Sequence, residues 1–220
     1  MTSDGEFGAN VHVSKHPVLF HKIAILRSSE TSPGTFRSVL RDVTYHLGYE
    51  ATATLNTREI PLSVSVGKET AEQHLDCKGH KLSDSIALIP ILRSGLGMAD
   101  GFLELVPKAA VHHIGMYRMP GCAPVQYFNR LPRKCEADVA FVVDPVVGSS
   151  ETIMSVVAIL KKVSNWDKIM IIGFVVFSSK ANSFFILCSG EYPRSTLFVS
   201  SPASKASKTS WNLTRMSMSR

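Results

Sequence analysis

The chain has 220 residues, of which 45% are hydrophobic and 19% are charged, and these values are typical of one globular domain with a full core. It contains no run of about 18 to 20 uncharged apolar residues, the length that a membrane-spanning helix requires. The opening residues also lack the pattern of a signal peptide, so we expect neither a membrane protein nor a secreted one, and a cytoplasmic location. The cysteines show no metal-ligand spacing, which favours reduced structural thiols over a zinc site or a disulfide framework.

The net charge of +6 is concentrated near the C-terminus. From residue 180 onward, six basic residues accompany one acidic residue, Glu191, so the remaining body is nearly neutral. The basic residues are Lys180, Arg194, Lys205, Lys208, Arg215 and Arg220. Overall basicity therefore does not indicate a nucleic-acid partner, although a nucleic-acid binder that uses this tail is kept as one alternative.

The segment before about residue 80 is less regular than the rest and is interpreted as an N-terminal appendage to the main sheet. A helix is predicted around 36–47 and a polar strand pair near 50–59. The core of the domain is expected over about 81–200, so that a single domain spans 1–200. Residues 201–220 are rich in Ser, Lys and Thr and lack periodicity, which predicts an atypical, disordered tail.

Short apolar runs at 86–92, 111–116, 139–143 and 169–177 predict strands, most of them buried on both faces as in a parallel sheet. Apolar residues recur at helical spacing after the first run and again after the third. These residues are Met98, Phe102 and Leu105, and then Ile153, Val156, Val157 and Leu160. The alternation predicts an α/β fold with a central, mainly parallel sheet flanked by helices.

The segment VVDPVVGSSET joins a predicted strand to a predicted helix that starts near Glu151. Backbone N–H groups and the helix dipole at such a point favour an anion, phosphate above all. Gly148, Ser149, Ser150 and Thr152 could donate hydrogen bonds to phosphate oxygens, and Asp144 could face a ribose diol at the carboxyl end of the sheet. An ordinary capped helix explains the same residues.

Arg93 follows a predicted core strand in the stretch ILRSGLG, where Gly95 and Gly97 would permit close approach of the backbone to a ligand. An arginine at such a place needs an anionic partner, which is either a ligand or a carboxylate of the protein. Arg118 repeats the arrangement after the next strand. Because ligands bind outside the carboxyl ends of parallel strands, Arg93, Arg118 and Asp144 are expected to converge on one phosphorylated substrate.

Several stretches also occur in the order of a known family. They are KHPVLFHKIAILR at 15–27, YEAT at 49–52, PILRSGLGMADGFLELVP at 90–107, GMYR at 115–118, PVQYFNRLP at 124–132 and VVDP at 142–145. On these stretches, from about residue 11 to 199, the chain resembles the uracil phosphoribosyltransferases. The resemblance implies a type I phosphoribosyltransferase fold and the conversion of uracil and phosphoribosyl pyrophosphate to UMP and pyrophosphate.

The resemblance also implies the roles of individual residues. Arg93 would hold pyrophosphate, Arg118 would neutralise it as it leaves, and the segment 144–152 would bind the ribose 5-phosphate. The implied phosphoribosyl pyrophosphate site comprises Arg93, Arg118, Asp144, Pro145, Val146, Val147, Gly148, Ser149, Ser150, Glu151 and Thr152. A non-proline cis peptide is expected between Arg93 and Ser94. Substrate-bound Mg²⁺ without a protein ligand cage, GTP as a candidate effector and a homo-oligomer are further implications.

Three departures from the family pattern qualify these roles. Ser150 and Glu151 stand where the family's phosphate loop, DPMLATGGS, has two glycines, so weaker substrate binding is expected. The flap after Arg118 reads MPGCAPV instead of an acidic stretch. The family's uracil-binding segment near the C-terminus has no counterpart, so no uracil-binding residue is assigned. The chain is therefore interpreted as an active or impaired transferase, with a non-catalytic regulator on the same fold as the alternative.

Overall fold

Four helices and ten strands follow one another along the part of the chain that the structure describes. The structure is a computed structural model, and it describes residues 11–12, 14–66, 73–119, 122–133, 136–147, 150–163, 166, 168–175 and 184–189. In chain order the elements are β1 (Val11–His12), α1 (Pro17–Arg27), α2 (Pro33–Thr52), β2 (Thr57–Val66), β3 (Gln73–Leu82), β4 (Ile86–Leu92), α3 (Leu96–Leu105), β5 (Ala110–Val111), β6 (Ile114–Tyr117), β7 (Val125–Asn129), β8 (Val139–Val147), α4 (Ser150–Val163), β9 (Lys168–Val175) and β10 (Phe184–Ser189).

One eight-stranded sheet organises the molecule, with the order β1-β10-β9-β8-β4-β6-β7 and with β5 also paired to β4. The central pairings β8 with β9, β4 with β8, β4 with β6 and β4 with β5 are parallel. The outer pairings of β7, β10 and β1 are antiparallel. The predicted α/β fold with a mainly parallel sheet is therefore confirmed.

Both faces of the central strands are buried, which explains why β4 and β8 read as nearly continuous apolar runs. Side chains alternate between two cores, so Leu88 and Phe141 face helices α1, α2 and α3, whereas Ile89 and Val142 face α4. These contacts give three layers, helix on sheet on helix. Because α1 and α2 share a core with the sheet, the region before residue 80 contributes directly to the hydrophobic interior. The domain division near residue 80 stays a prediction.

Helix α2 and the hairpin β2–β3 differ from the predicted pattern. The helix is longer than predicted, since it begins after the cap Ser32, whose hydroxyl accepts the Thr35 N–H at 3.1 Å, and continues to Thr52. The strand pair expected near 50–59 is wrong in place, because β2 and β3 form a separate two-stranded sheet over 57–82. In β2 the apolar residues Ile60, Leu62, Val64 and Val66 alternate with Pro61, Ser63 and Ser65, a strand signal that the prediction did not use, whereas β3 is mostly polar.

Smaller differences concern the bounds of single elements and elements that were not predicted. The strand predicted at 111–116 is divided into β5 and β6, and β8 continues four residues beyond the predicted end at 143. Helix α1 and strands β1, β7 and β10 were not predicted. The C-terminal part of the predicted strand 169–177 and the predicted tail at 201–220 lie outside the described residues.

Among the helices described, none is both long and apolar enough to cross a membrane.

Candidate active site at the carboxyl ends of the strands

β4 and β8 are neighbouring strands, and the chain leaves their carboxyl ends toward opposite edges of the sheet, with a crevice between them. From β4 the chain passes through α3 to β6 on one side, and from β8 it passes through α4 to β9 on the other. The two helices lie on opposite faces of the sheet, so their connections leave a gap at the carboxyl ends of the two adjacent strands. Ligands of open α/β proteins bind at such switch points.

Asp144 lies in β8 at this crevice and is 9% exposed. The Ser94 hydroxyl donates to Asp144 Oδ1 at 2.6 Å, which ties the turn after β4 to the end of β8. Burial raises the pKa of the Asp144 carboxyl, and the Ser94 hydroxyl and the Val146 N–H oppose that rise by donating to it. These two hydrogen bonds use only part of what a carboxylate can accept, which is about four hydrogen bonds. The remaining capacity can serve donors of a ligand.

Asp144 lies at a bulge in β8. The pairing of β8 with β9 shifts between Val143 and Val146, so one extra residue of β8 is inserted at Asp144 and Pro145. Gly173 on β9 lies directly beneath the bulge, because a Cβ there would come within 2.2 Å of the Asp144 carbonyl oxygen. The bulged strand end therefore depends on a glycine on the neighbouring strand.

The turn after β4 packs tightly against the end of β8. Gly95 N–H donates to the Ile91 carbonyl at 2.8 Å, and a Cβ at Gly95 would lie 2.4 Å from the Val143 carbonyl oxygen. Gly95 therefore allows a close approach of protein backbone, and its approach to a ligand stays a prediction. The cis peptide is between Leu92 and Arg93, so its predicted position one residue later is wrong.

Arg93 is exposed at the end of the middle strand of three, between β8 and β6. Within the described part of the chain it forms no salt bridge with a carboxylate, so the alternative of an intramolecular pair gains no support there. Arg93 thus lies at the end of β4 directly before Ser94, the residue that donates to Asp144.

Arg118 follows β6 and is paired with Glu151 in the first turn of α4, with Nη2 to Oε2 at 2.8 Å. Both side chains are close to half exposed, at 44% for the arginine and 50% for the glutamate. The contact joins the end of β6 to the helix that follows β8. In strand order, Arg93 at the end of β4 lies between Arg118 at the end of β6 and Asp144 in β8.

The predicted phosphate segment is part strand and part helix. Pro145 is buried in β8, Val146 is exposed and Val147 is half-buried at the end of that strand. Gly148 and Ser149 lie outside the described residues, and α4 begins at Ser150 with Thr152 half-buried in its first turn. The predicted loop is therefore shorter than expected, because β8 extends to Val147. The first N–H groups of α4 lack partners within the helix, as at every helix start.

Two residues of the site were not predicted, namely Ser94 as the donor to Asp144 and Gly173 as the residue beneath the bulge. A signal for Gly173 existed, since a glycine inside an apolar strand indicates a bulge or a close backbone approach. Ser94 carried no comparable signal, because its partner lies on another strand. Among the described residues, no cluster of three His, Cys, Asp or Glu side chains has the arrangement of a metal site.

Comparisons with known proteins agree on one family. Residues 13–200 match the sequence profile of the family described as Uracil phosphoribosyltransferase. A uracil phosphoribosyltransferase from Roseiflexus sp. (strain RS-1) is 37% identical over 155 residues, which are 70% of this chain and 71% of that protein. Another, from Agathobacter rectalis, is 40% identical over 153 residues, which are 69% of this chain and 70% of that protein.

Among solved structures, the AQ2163 protein from Aquifex aeolicus has a similar fold, with a TM-score of 0.62 and 26% sequence identity. The similarity covers 73% of each chain. Since the profile match alone spans most of the sequence, the chain belongs to the uracil phosphoribosyltransferase family.

Proposed function

We propose that this protein transfers the phosphoribosyl group of phosphoribosyl pyrophosphate to uracil, forming UMP and pyrophosphate in pyrimidine salvage. Family membership supports the reaction class. The observation that carries the proposal for this chain is the crevice at the switch point, where Ser94 holds the buried carboxylate of Asp144 next to Arg93.

In this reaction the bond from ribose C1′ to the diphosphate oxygen breaks, a bond from C1′ to uracil N1 forms, and N1 loses its proton. Positive charge develops on the ribose while negative charge develops on the leaving diphosphate. Catalysis therefore depends on neutralising the diphosphate and on holding the ribose in place, more than on a strong base.

The residues at the strand ends suit these tasks. Arg93 is exposed and can bind diphosphate oxygens through its planar fork of donors. Asp144 has unused acceptor capacity for the ribose hydroxyls. The first turn of α4, with the end of β8, would bind the 5-phosphate, and Arg118 would contribute a second cation once it is released from Glu151. No residue is assigned to uracil recognition, because the family's uracil-binding segment has no counterpart in this sequence.

Magnesium would enter this site with the substrate. The donors available fit such an ion, since Mg²⁺ favours phosphate oxygens, waters and one or two carboxylates over an all-protein cage, and Asp144 supplies one carboxylate. When bound, the ion would withdraw negative charge from the diphosphate. GTP as an effector and a homo-oligomeric assembly are also proposed, and GTP titration of the activity and analytical ultracentrifugation test them.

The test replaces Arg93 by alanine, with Arg130→Ala as control because Arg130 is an exposed arginine that follows β7 beside the start of β6, at the end of the sheet opposite the crevice. Phosphoribosyl pyrophosphate affinity is measured by calorimetry, and turnover by conversion of labelled uracil to UMP. Loss of a charged multiple hydrogen bond should weaken binding by about 30- to 1000-fold in the Arg93 variant, with little change in the control. Binding by the unmodified protein without turnover would favour the regulatory alternative, and equal affinity of the Arg93 variant would contradict the assigned site.

A further inference from the structure

The contact between Arg118 and Glu151 places a carboxylate of the protein where a substrate anion is expected. Glu151 lies in the first turn of α4, which is the end of the helix that attracts negative charge. Phosphates bind at helix starts for the same electrostatic reason. Glu151 therefore occupies the electrostatic position of a phosphate with respect to the helix.

The same carboxylate also has a substrate-like relation to Arg118. The Nη2 to Oε2 distance of 2.8 Å is that of a charge-assisted hydrogen bond, the kind of bond that a guanidinium makes with a phosphate oxygen. A guanidinium has five N–H donors, and a diphosphate that binds Arg118 through its Nη2 edge must take this donor from Glu151. The bound diphosphate must also tolerate repulsion from the released Glu151 carboxylate nearby.

Resting on the proposed function, we infer that Glu151 is an internal competitor of phosphoribosyl pyrophosphate. Its carboxylate holds Arg118 in the free protein, and the Arg118–Glu151 pair opens when the substrate binds. Part of the substrate's binding free energy is spent on opening the pair. Glu151 thus sets the affinity for the phosphorylated substrate without touching uracil.

The chain supplies a matched control for this pair. Arg41 and Glu104 form another ion pair between an arginine and a glutamate, at comparable exposures of 54% and 41%, and it joins α2 to α3 away from the crevice. Glu104→Gln removes the same charge and the same kind of contact as Glu151→Gln. General effects of net charge or helix stability act on both variants.

The experiment is a double-mutant cycle of Arg118→Ala and Glu151→Gln, read by calorimetry with phosphoribosyl pyrophosphate and with inorganic pyrophosphate, both with Mg²⁺. Glu151→Gln should tighten binding by about three- to fivefold when Arg118 is present, because the pair no longer has to open. With alanine at 118 the gain should fall below about twofold, because only repulsion is relieved. Glu104→Gln should leave affinity unchanged. In turnover assays of Glu151→Gln, KM for phosphoribosyl pyrophosphate should fall by the same factor, and KM for uracil should not change.

A gain from Glu151→Gln that is equal or larger with alanine at 118 would overturn the inference, because Arg118 would then be shielding the carboxylate instead of being held by it. Unchanged affinity in Glu151→Gln, or failure of that variant to bind either ligand, would overturn it as well. If Arg118→Ala binds too weakly to titrate, Arg118→Lys gives the second background, since it keeps the charge and loses the planar fork. Pyrophosphate binding needs no turnover, so a protein without transferase activity would refute the proposed function and still decide this inference.

Discussion

Two carboxylates at opposite ends of the connection from β8 to α4 are held in contrasting ways. Asp144 is buried and receives hydrogen bonds from neutral donors, the Ser94 hydroxyl and the Val146 N–H. Glu151 is half exposed and is held by the guanidinium of Arg118. Desolvation makes a buried charge costly, whereas an exposed pair is solvated and contributes little. Asp144 is therefore suited to receive a ligand's donors, while Glu151 already has an internal partner.

Of the substitutions that test this contrast, Asp144→Asn should have the largest effect, and that effect is on turnover. The amide can no longer accept ribose hydroxyls on both of its heavy atoms, so turnover should fall by a factor on the order of 100. The folded protein without ligand should instead become more stable by about 0.5 to 2 kcal/mol, because a desolvated charge is removed. Initial rates and urea unfolding at neutral pH measure the two changes. A variant that loses stability along with activity would contradict this account of the buried carboxylate.

The stability difference between wild type and Asp144→Asn should depend on pH. Burial raises the pKa of Asp144 in the folded state above its usual value of 3.8, so the folded protein holds this proton up to a higher pH than the unfolded chain does. The stabilising contribution is complete below 3.8 and is lost as pH rises through the raised pKa. The advantage of the Asn variant should therefore shrink as urea unfolding is repeated from pH 7 downward. A constant difference would show that Asp144 does not titrate in this way.

Gly173→Ala should have the next largest effect, a loss of stability, since the added Cβ would disturb the bulge at Asp144. The added Cβ would meet the Asp144 carbonyl oxygen at 2.2 Å, and relieving the contact should cost about 1 to 3 kcal/mol of stability. Gly34→Ala is the control, because a Cβ there has its nearest neighbour at 3.9 Å and lies in the first turn of α2. It should leave stability equal or slightly higher. Chemical unfolding measures both, and equal stabilities of the two variants would argue against a constrained bulge.

The smallest effect is expected on the exposed carboxylate. Glu151→Gln should change the free energy of unfolding by less than about 1 kcal/mol, and the change should diminish in high salt. Glu104→Gln should behave in the same way, since its ion pair is similarly exposed. Urea unfolding at low and high salt measures both. A loss of several kcal/mol from Glu151→Gln alone would mean that the pair is structural, and the contrast with Asp144 would be lost.

The sequence predicted the central part of the fold well because its signals are local. Buried strands such as β4 and β8 are short apolar runs, and the helices between them show helical spacing of apolar residues. The hairpin β2–β3 was misplaced although apolar residues alternate in β2 from Ile60 to Val66, because β3 is mostly polar and gives no matching signal. Helix α2 was predicted too short because its last turn is packed by distant residues. Gly48 illustrates this, since a Cβ there would meet Leu105 of α3 at 2.4 Å.

For the site, the sequence by itself determined the kinds of residue that end each strand, Arg93, Arg118 and Asp144, and the family motifs around them. Only the tertiary structure decided the partners, because Ser94 meets Asp144 and Arg118 meets Glu151, and the members of each pair are far apart in the chain. Residue type and spacing follow from local sequence. Which charge is buried, and which is neutralised, depends on long-range packing that brings separate strand ends together.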